Sequence, residues 1–121
     1  MIKKHTISFL HAYEGLIWAF QTQPNYKIHF FLSFLSIIGG YFLKIDYYEF
    51  LIILFLIAVG LAIETINTSI EQASDAIDKK WRQDIKIVKN VAAGAMLIFA
   101  IGALIIACVI FIPKILSLLF Y

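Results

Sequence analysis

The chain has 121 residues, 62% hydrophobic and 15% charged, with 10 Lys and Arg against 8 Asp and Glu for a net charge of +2. A soluble domain runs about 45–50% apolar and about 25% charged, and a chain this short lacks the interior to hide the excess, so lipid must solvate much of its surface. The lone Cys108 excludes a disulfide framework, and the small positive balance leaves no basic surface for a nucleic acid partner.

The first predicted element covers about residues 7–21. Phe9, Leu10, Tyr13, Leu16, Ile17 and Phe20 recur at helical spacing, with His11 and Glu14 on a different face. Such a helix is expected to lie in the membrane interface. Lys3, Lys4 and Glu14 among scattered apolar positions do not form a cleavable-signal pattern. Pro24 predicts a turn at Gln23–Asn25; a longer first span beginning near Leu16 is the competing reading.

Three spans are predicted next, at about residues 28–43, 47–64 and 90–112. The first is short for a hydrocarbon core of roughly 30 Å, and His29 with the flanking tyrosines is placed at the interface. The third carries no charge from Val91 to Ile112. Small residues four apart, Ala58 and Ala62 in the second span and Ala103 and Ala107 in the third, predict close helix packing, as does the run of small residues at 92–95.

Lys3, Lys4 and Lys27 precede the first span, and Lys79, Lys80, Arg82, Lys86 and Lys89 separate the second from the third. Only Lys44 and Lys114 fall on the other side. By the positive-inside rule the N-terminus and the second loop are cytoplasmic and the C-terminus is outside.

The second span runs on as a helix to about residue 78. At about 100° per residue, Asn67, Thr68, Glu71, Asp75 and Asp78 all stay within about 60° of Glu64 around the axis. Acids stacked at one-turn intervals repel one another and call for cations. Asp78 is expected to pair with Lys79, Lys80 or Arg82. Glu64 and Glu71 lie at or near membrane depth, where an ionisable group is costly and marks function, and carboxylate oxygens suit Mg²⁺. Lys89 is open to two readings: a charge that anchors the cytoplasmic side, or a cation facing the acidic stripe where a phosphate would be held. No Walker loop or kinase-type glycine motif is present, so a nucleotide site would have to be built from these helices.

Glu64-x-x-Asn67-x-x-Ile70-Glu71-x-x-x-Asp75, followed by Lys89 and Val91-Ala92-Ala93-Gly94-Ala95, resembles the signature of the prokaryotic diacylglycerol kinase and undecaprenol kinase family. Ala12-Tyr13-Glu14-Gly15-Leu16-x-x-Ala19-Phe20 and Asn25-Tyr26-Lys27-Ile28-His29 are similar to its N-terminal segment, closer to the undecaprenol kinase branch. The resemblance covers about residues 8–112. It implies an all-α membrane protein with an interfacial helix and three transmembrane helices, assembled as a homotrimer in the bacterial cytoplasmic membrane. The implied activity is ATP- and Mg²⁺-dependent phosphorylation of a membrane lipid alcohol, undecaprenol ahead of diacylglycerol. Carried over by position, Glu64 matches the general base, Asn67 a polar partner near the reacting groups and Glu71 a metal-binding glutamate. Asp75 matches a nucleotide-side acid, and Lys89 matches the lysine on the ATP phosphates.

Two positions depart from the pattern. The family's second metal-binding glutamate is matched by Gln23, and the aspartate after its lysine by Asn90 on the nucleotide side. Each replaces a carboxylate by an amide of similar shape. An amide oxygen still ligates Mg²⁺, without the charge. The alternative function is a non-enzymatic helical bundle, a transporter or assembly subunit in which Glu64 couples to ions or protons. Spans one and three hold little polar matter beyond Ser33, Ser36 and Cys108, which favours the enzyme.

Overall fold

The computed structural model describes residues 2–80 and 82–121, and within them the chain folds into four helices: α1 (Ile2–Thr22), α2 (Pro24–Phe42), α3 (Tyr47–Ile77) and α4 (Gln83–Phe120). No strand occurs among the described residues. The break between α1 and α2 is narrower than the expected turn at 23–25, because Gln23 alone leaves the helical path. Its backbone N–H still closes α1 on Ala19 at 2.8 Å, and Pro24 opens α2 in the first turn, where a missing N–H loses no helical bond. Residues 16–43 are therefore two helices and not one long span.

The α2–α3 turn is built from its own backbone. Lys44 adopts the left-handed conformation with φ 53°, and the N–H groups of Lys44 and Ile45 return to the carbonyls of Tyr41 and Gly40. A β-carbon on Gly40 would lie 2.7 Å from Ile45 Cδ1, so the absence of a side chain lets Ile45 fold back onto α2. Asp46 then starts α3 with a capping box: its Oδ1 accepts from Glu49 N–H at 2.9 Å, and Glu49 Oε2 accepts from Asp46 N–H at 2.8 Å. The left-handed φ at a residue with a β-carbon costs about 1 kcal/mol. Lys44→Gly is accordingly expected to raise the thermal midpoint of the purified protein. A lowered midpoint would show that the lysine contributes more through its side chain than its backbone costs.

Two helices, α3 and α4, are long and apolar enough to cross a membrane. At 31 and 38 residues they run about 46 and 57 Å, longer than a hydrocarbon core of about 30 Å. Phe55, Ile98 and Leu104 are among the large apolar side chains that they leave exposed. A soluble protein would bury such helices. α2 does not reach the same standard: Asn25, Lys27 and His29 occupy its first turns, and 13 residues remain, two of them serines, about 20 Å. The helix expected at 90–112 is longer at both ends. Pro113 does not stop it but removes one backbone hydrogen bond, and the helix continues to Phe120.

Helices α3 and α4 pack antiparallel, tied by Asp75 to Lys89 near one end and by Glu49 to Lys114 near the other. Between these pairs the helices approach at Gly60, where an added β-carbon would lie 2.7 Å from the Phe99 ring. The expected small-residue contacts of α3 are thus displaced: Ala58 and Ala62 are exposed, and Gly60 between them makes the close approach.

Candidate active site

The inner face of α3 carries its polar groups at three successive levels. At the deepest, Glu64 is 2% exposed, and its Oε2 lies 3.7 Å from His29 Nε2 on α2. One turn along, the buried Asn67 donates from Nδ2 to Glu71 Oε1 at 3.4 Å. Asn67 Oδ1 is buried and accepts no hydrogen bond among the described residues. Such an orphan costs about 1–3 kcal/mol and calls for a partner. At the outermost level Lys89 Nζ from α4 meets Asp75 Oδ1 at 2.5 Å, with both side chains partly accessible. Glu64 and Glu71 are about 10 Å apart along the axis at 1.5 Å per residue.

Glu64, Asn67, Glu71, Asp75 and Lys89 thus share one face of the α3–α4 pair. Gln23 and Asn90 stand apart from these contacts. Gln23 is half-buried at the start of α2 and donates its amide to Thr22 Oγ1 at 3.2 Å, and Asn90 is exposed. Asp78 has its Oδ2 3.8 Å from Arg82 Nη1, the pairing expected of it. Arg82 also binds Asp84 at 2.7 Å and, together with the Ile85 N–H, holds that carboxyl below its ordinary range.

Two residues at this site carry no functional role in the sequence reading. His29 is not a free interfacial group but lies against Glu64. Tyr26, one turn earlier, is buried with its hydroxyl in contact with Thr65 Oγ1. The signal was the pair itself: Tyr26 and His29 are three apart on α2, and an antiparallel neighbour brings both to one stretch of α3. On either side of the Tyr26–Thr65 contact lies a groove of about 570 Å³. One is walled by Leu16, Phe20, Phe30, Leu61 and Ile66. The other has Trp18 and Gly15 facing Thr68, Ser69 and Gln72. Chemically the site offers a buried carboxylate, with oxygen donors and a lysine toward the end of α3, and the apolar groove opens on another side of that helix.

The family description "Prokaryotic diacylglycerol kinase" matches residues 10–111, a stretch that includes every one of these site residues. The chain belongs to the prokaryotic diacylglycerol kinase family. It is 35% identical over 107 residues to an undecaprenol kinase of Bacillus subtilis (strain 168), covering 88% of this chain and 87% of that one. It is 31% identical over 114 residues to a diacylglycerol kinase of Synechocystis sp. (strain ATCC 27184 / PCC 6803 / Kazusa), covering 93% of this chain and 65% of that one. Membership in the diacylglycerol kinase family makes the chain a lipid kinase, a phosphotransferase that takes a nucleotide and a lipid. It decides for the enzyme over the ion-coupled bundle. With the apolar, outward-facing α3 and α4, it also makes the chain an integral membrane protein.

Proposed function

We propose that the chain transfers the γ-phosphoryl group of ATP to the hydroxyl of a membrane lipid alcohol, with undecaprenol preferred over diacylglycerol. The observation that carries the mechanism is the buried Glu64 at the deepest polar level of α3. A lipid alcohol enters laterally from the bilayer, with its hydroxyl reaching Glu64. The carboxylate accepts the hydroxyl proton as the lipid oxygen bonds to the γ-phosphorus and the bond to ADP breaks. Lys89 exchanges Asp75 for the phosphates, which offer it a more highly charged partner. Asp75 and Asn90 lie on the nucleotide side.

The donor set for a divalent cation is Glu71 and the unsatisfied amide oxygen of Asn67, joined by Gln23 when the segment before α2 closes over the nucleotide, all oxygen atoms of the kind Mg²⁺ takes. Bound there, Mg²⁺ would neutralise charge on the phosphates. The family resemblance supports a homotrimer with sites shared between subunits, in which a neighbouring copy covers part of the apolar surface. It also supports placement in a bacterial cytoplasmic membrane. The charge distribution supports a cytoplasmic N-terminus and active-site loop, with α2 as the third span and the C-terminus outside.

The preference for undecaprenol rests on the Asn25–His29 segment and on the closer likeness to the Bacillus subtilis enzyme. Parallel assays of the purified protein with the two acceptors test it. A higher rate on undecaprenol is expected, and a diacylglycerol rate several-fold above it would reverse the choice. Gln23→Glu tests the metal side. A restored carboxylate is expected to lower the Mg²⁺ concentration for half-maximal activity while leaving kcat near its starting value, since tighter ground-state binding does not speed the chemical step. Weaker Mg²⁺ or ATP affinity would instead place Gln23 among uncompensated acids, away from the metal.

A further inference from the structure

We propose that His29 is the positioning residue of Glu64 and receives the proton that Glu64 takes from the lipid hydroxyl. The proposal rests on Glu64 being the base and adds the group through which it works. Glu64, at 2% exposure, has little direct access to water for a proton it accepts, so a neighbouring base has to carry that proton away. His29 Nε2, 3.7 Å from Oε2, is the nitrogen base that approaches Glu64 among the described residues. The neighbouring polar groups are engaged elsewhere. Tyr26 on α2 meets Thr65, Glu71 on α3 binds Asn67, and His11 and Glu14 on α1 pair with each other at 3.5 Å. Helix α4 presents Phe99 at this level and has no charged residue between Lys89 and Lys114.

The imidazole is also held from behind. Gly60 lies one turn from Glu64 on the same face of α3, and a β-carbon there would come 3.7 Å from His29 Nδ1. The ring thus packs over Gly60 by its Nδ1 side, with Nε2 toward the carboxylate. This fixes which oxygen of Glu64 is taken: Oε2 faces His29, which leaves Oε1 for the hydroxyl. A separation of 3.7 Å is slightly beyond a hydrogen bond and closes with a small side-chain adjustment, as contacts of resting active sites commonly do.

The proton inventory balances. The hydroxyl proton moves to Glu64 as the phosphoryl group is transferred to the lipid oxygen. It then passes from the Glu64 carboxyl to the unprotonated Nε2 of His29, which restores the carboxylate. An unprotonated imidazole nitrogen is a proton acceptor of the kind this step needs. The His29 side chain is 22% exposed, which gives the imidazolium an edge from which to release the proton to water. A histidine already protonated before the reaction cannot accept it.

The test measures kcat, the KM values for ATP and lipid, and the pH–rate profile of the purified full chain and of His29→Gln, Glu64→Gln and the double variant. For His29→Gln the expected result is a kcat reduced about tenfold or more, KM values within about twofold and a pH profile that differs from the native one. No further loss is expected when it is added to Glu64→Gln, because the two residues act as a unit. His29→Ala with imidazole in the buffer is expected to regain transfer, a readout that a merely structural role would not move. A native kcat and pH profile in His29→Gln beside an inactive Glu64→Gln would overturn the role of His29 and leave the base in place. Full activity in Glu64→Gln would remove the base itself. If His29→Gln loses its fold, failure of imidazole to restore transfer to His29→Ala would overturn the proposal.

Discussion

Glu64→Gln is expected to lower phosphoryl transfer by at least about 100-fold, the lower bound for removing a positioned general base. The substitution keeps the length and polarity of the side chain and removes only its ability to hold a proton. It is therefore expected to spare the fold. Glu64 is packed between α2 and α3 with His29 beside it, and a neutral amide in that place demands no charge compensation. ATP binding is expected to persist as well, because the groups assigned to the nucleotide lie one to three turns farther along α3 and on α4. Nucleotide affinity measured beside kcat separates the cases. Loss of both ATP binding and helical content would make Glu64 a structural residue.

Glu71→Gln is expected to raise the Mg²⁺ concentration for half-maximal activity by about tenfold or more, because Mg²⁺ draws most of its protein affinity from one or two carboxylates. The usual second carboxylate is already an amide here, at Gln23. The variant can still accept the 3.4 Å hydrogen bond from Asn67 Nδ2, so the lost quantity is charge and not local geometry. A titration of activity against Mg²⁺ at saturating ATP reads the effect. An unchanged half-saturation would move the metal away from Glu71.

These two side chains were legible in the sequence because a helix of known pitch turns residue spacing into direction. Glu64, Asn67, Glu71 and Asp75 fall on one stripe from spacing alone, and the structure has them on one face with Lys89 opposite Asp75. The all-helical architecture and the two strongest apolar helices followed from composition and run length. Contacts between helices were not legible in the same way. His29 reads as an interfacial anchor until α2 is laid antiparallel on α3. Gly60 was passed over for Ala58 and Ala62, because small-residue spacing indicates which faces can approach and not which residue receives a ring such as Phe99. Helix ends were missed where local signals compete: Pro113 marks a stop in sequence, yet the apolar residues beyond it extend the helix to Phe120.

The central claim is tested most directly by incubating the purified protein in detergent with γ-labelled ATP, Mg²⁺ and a lipid extract containing undecaprenol and diacylglycerol, then following the label. The account predicts a labelled phospholipid product that forms with the native chain and is absent with Glu64→Gln. No labelled lipid from any alcohol in the extract, together with Glu64-dependent ion flux in vesicles, would contradict it.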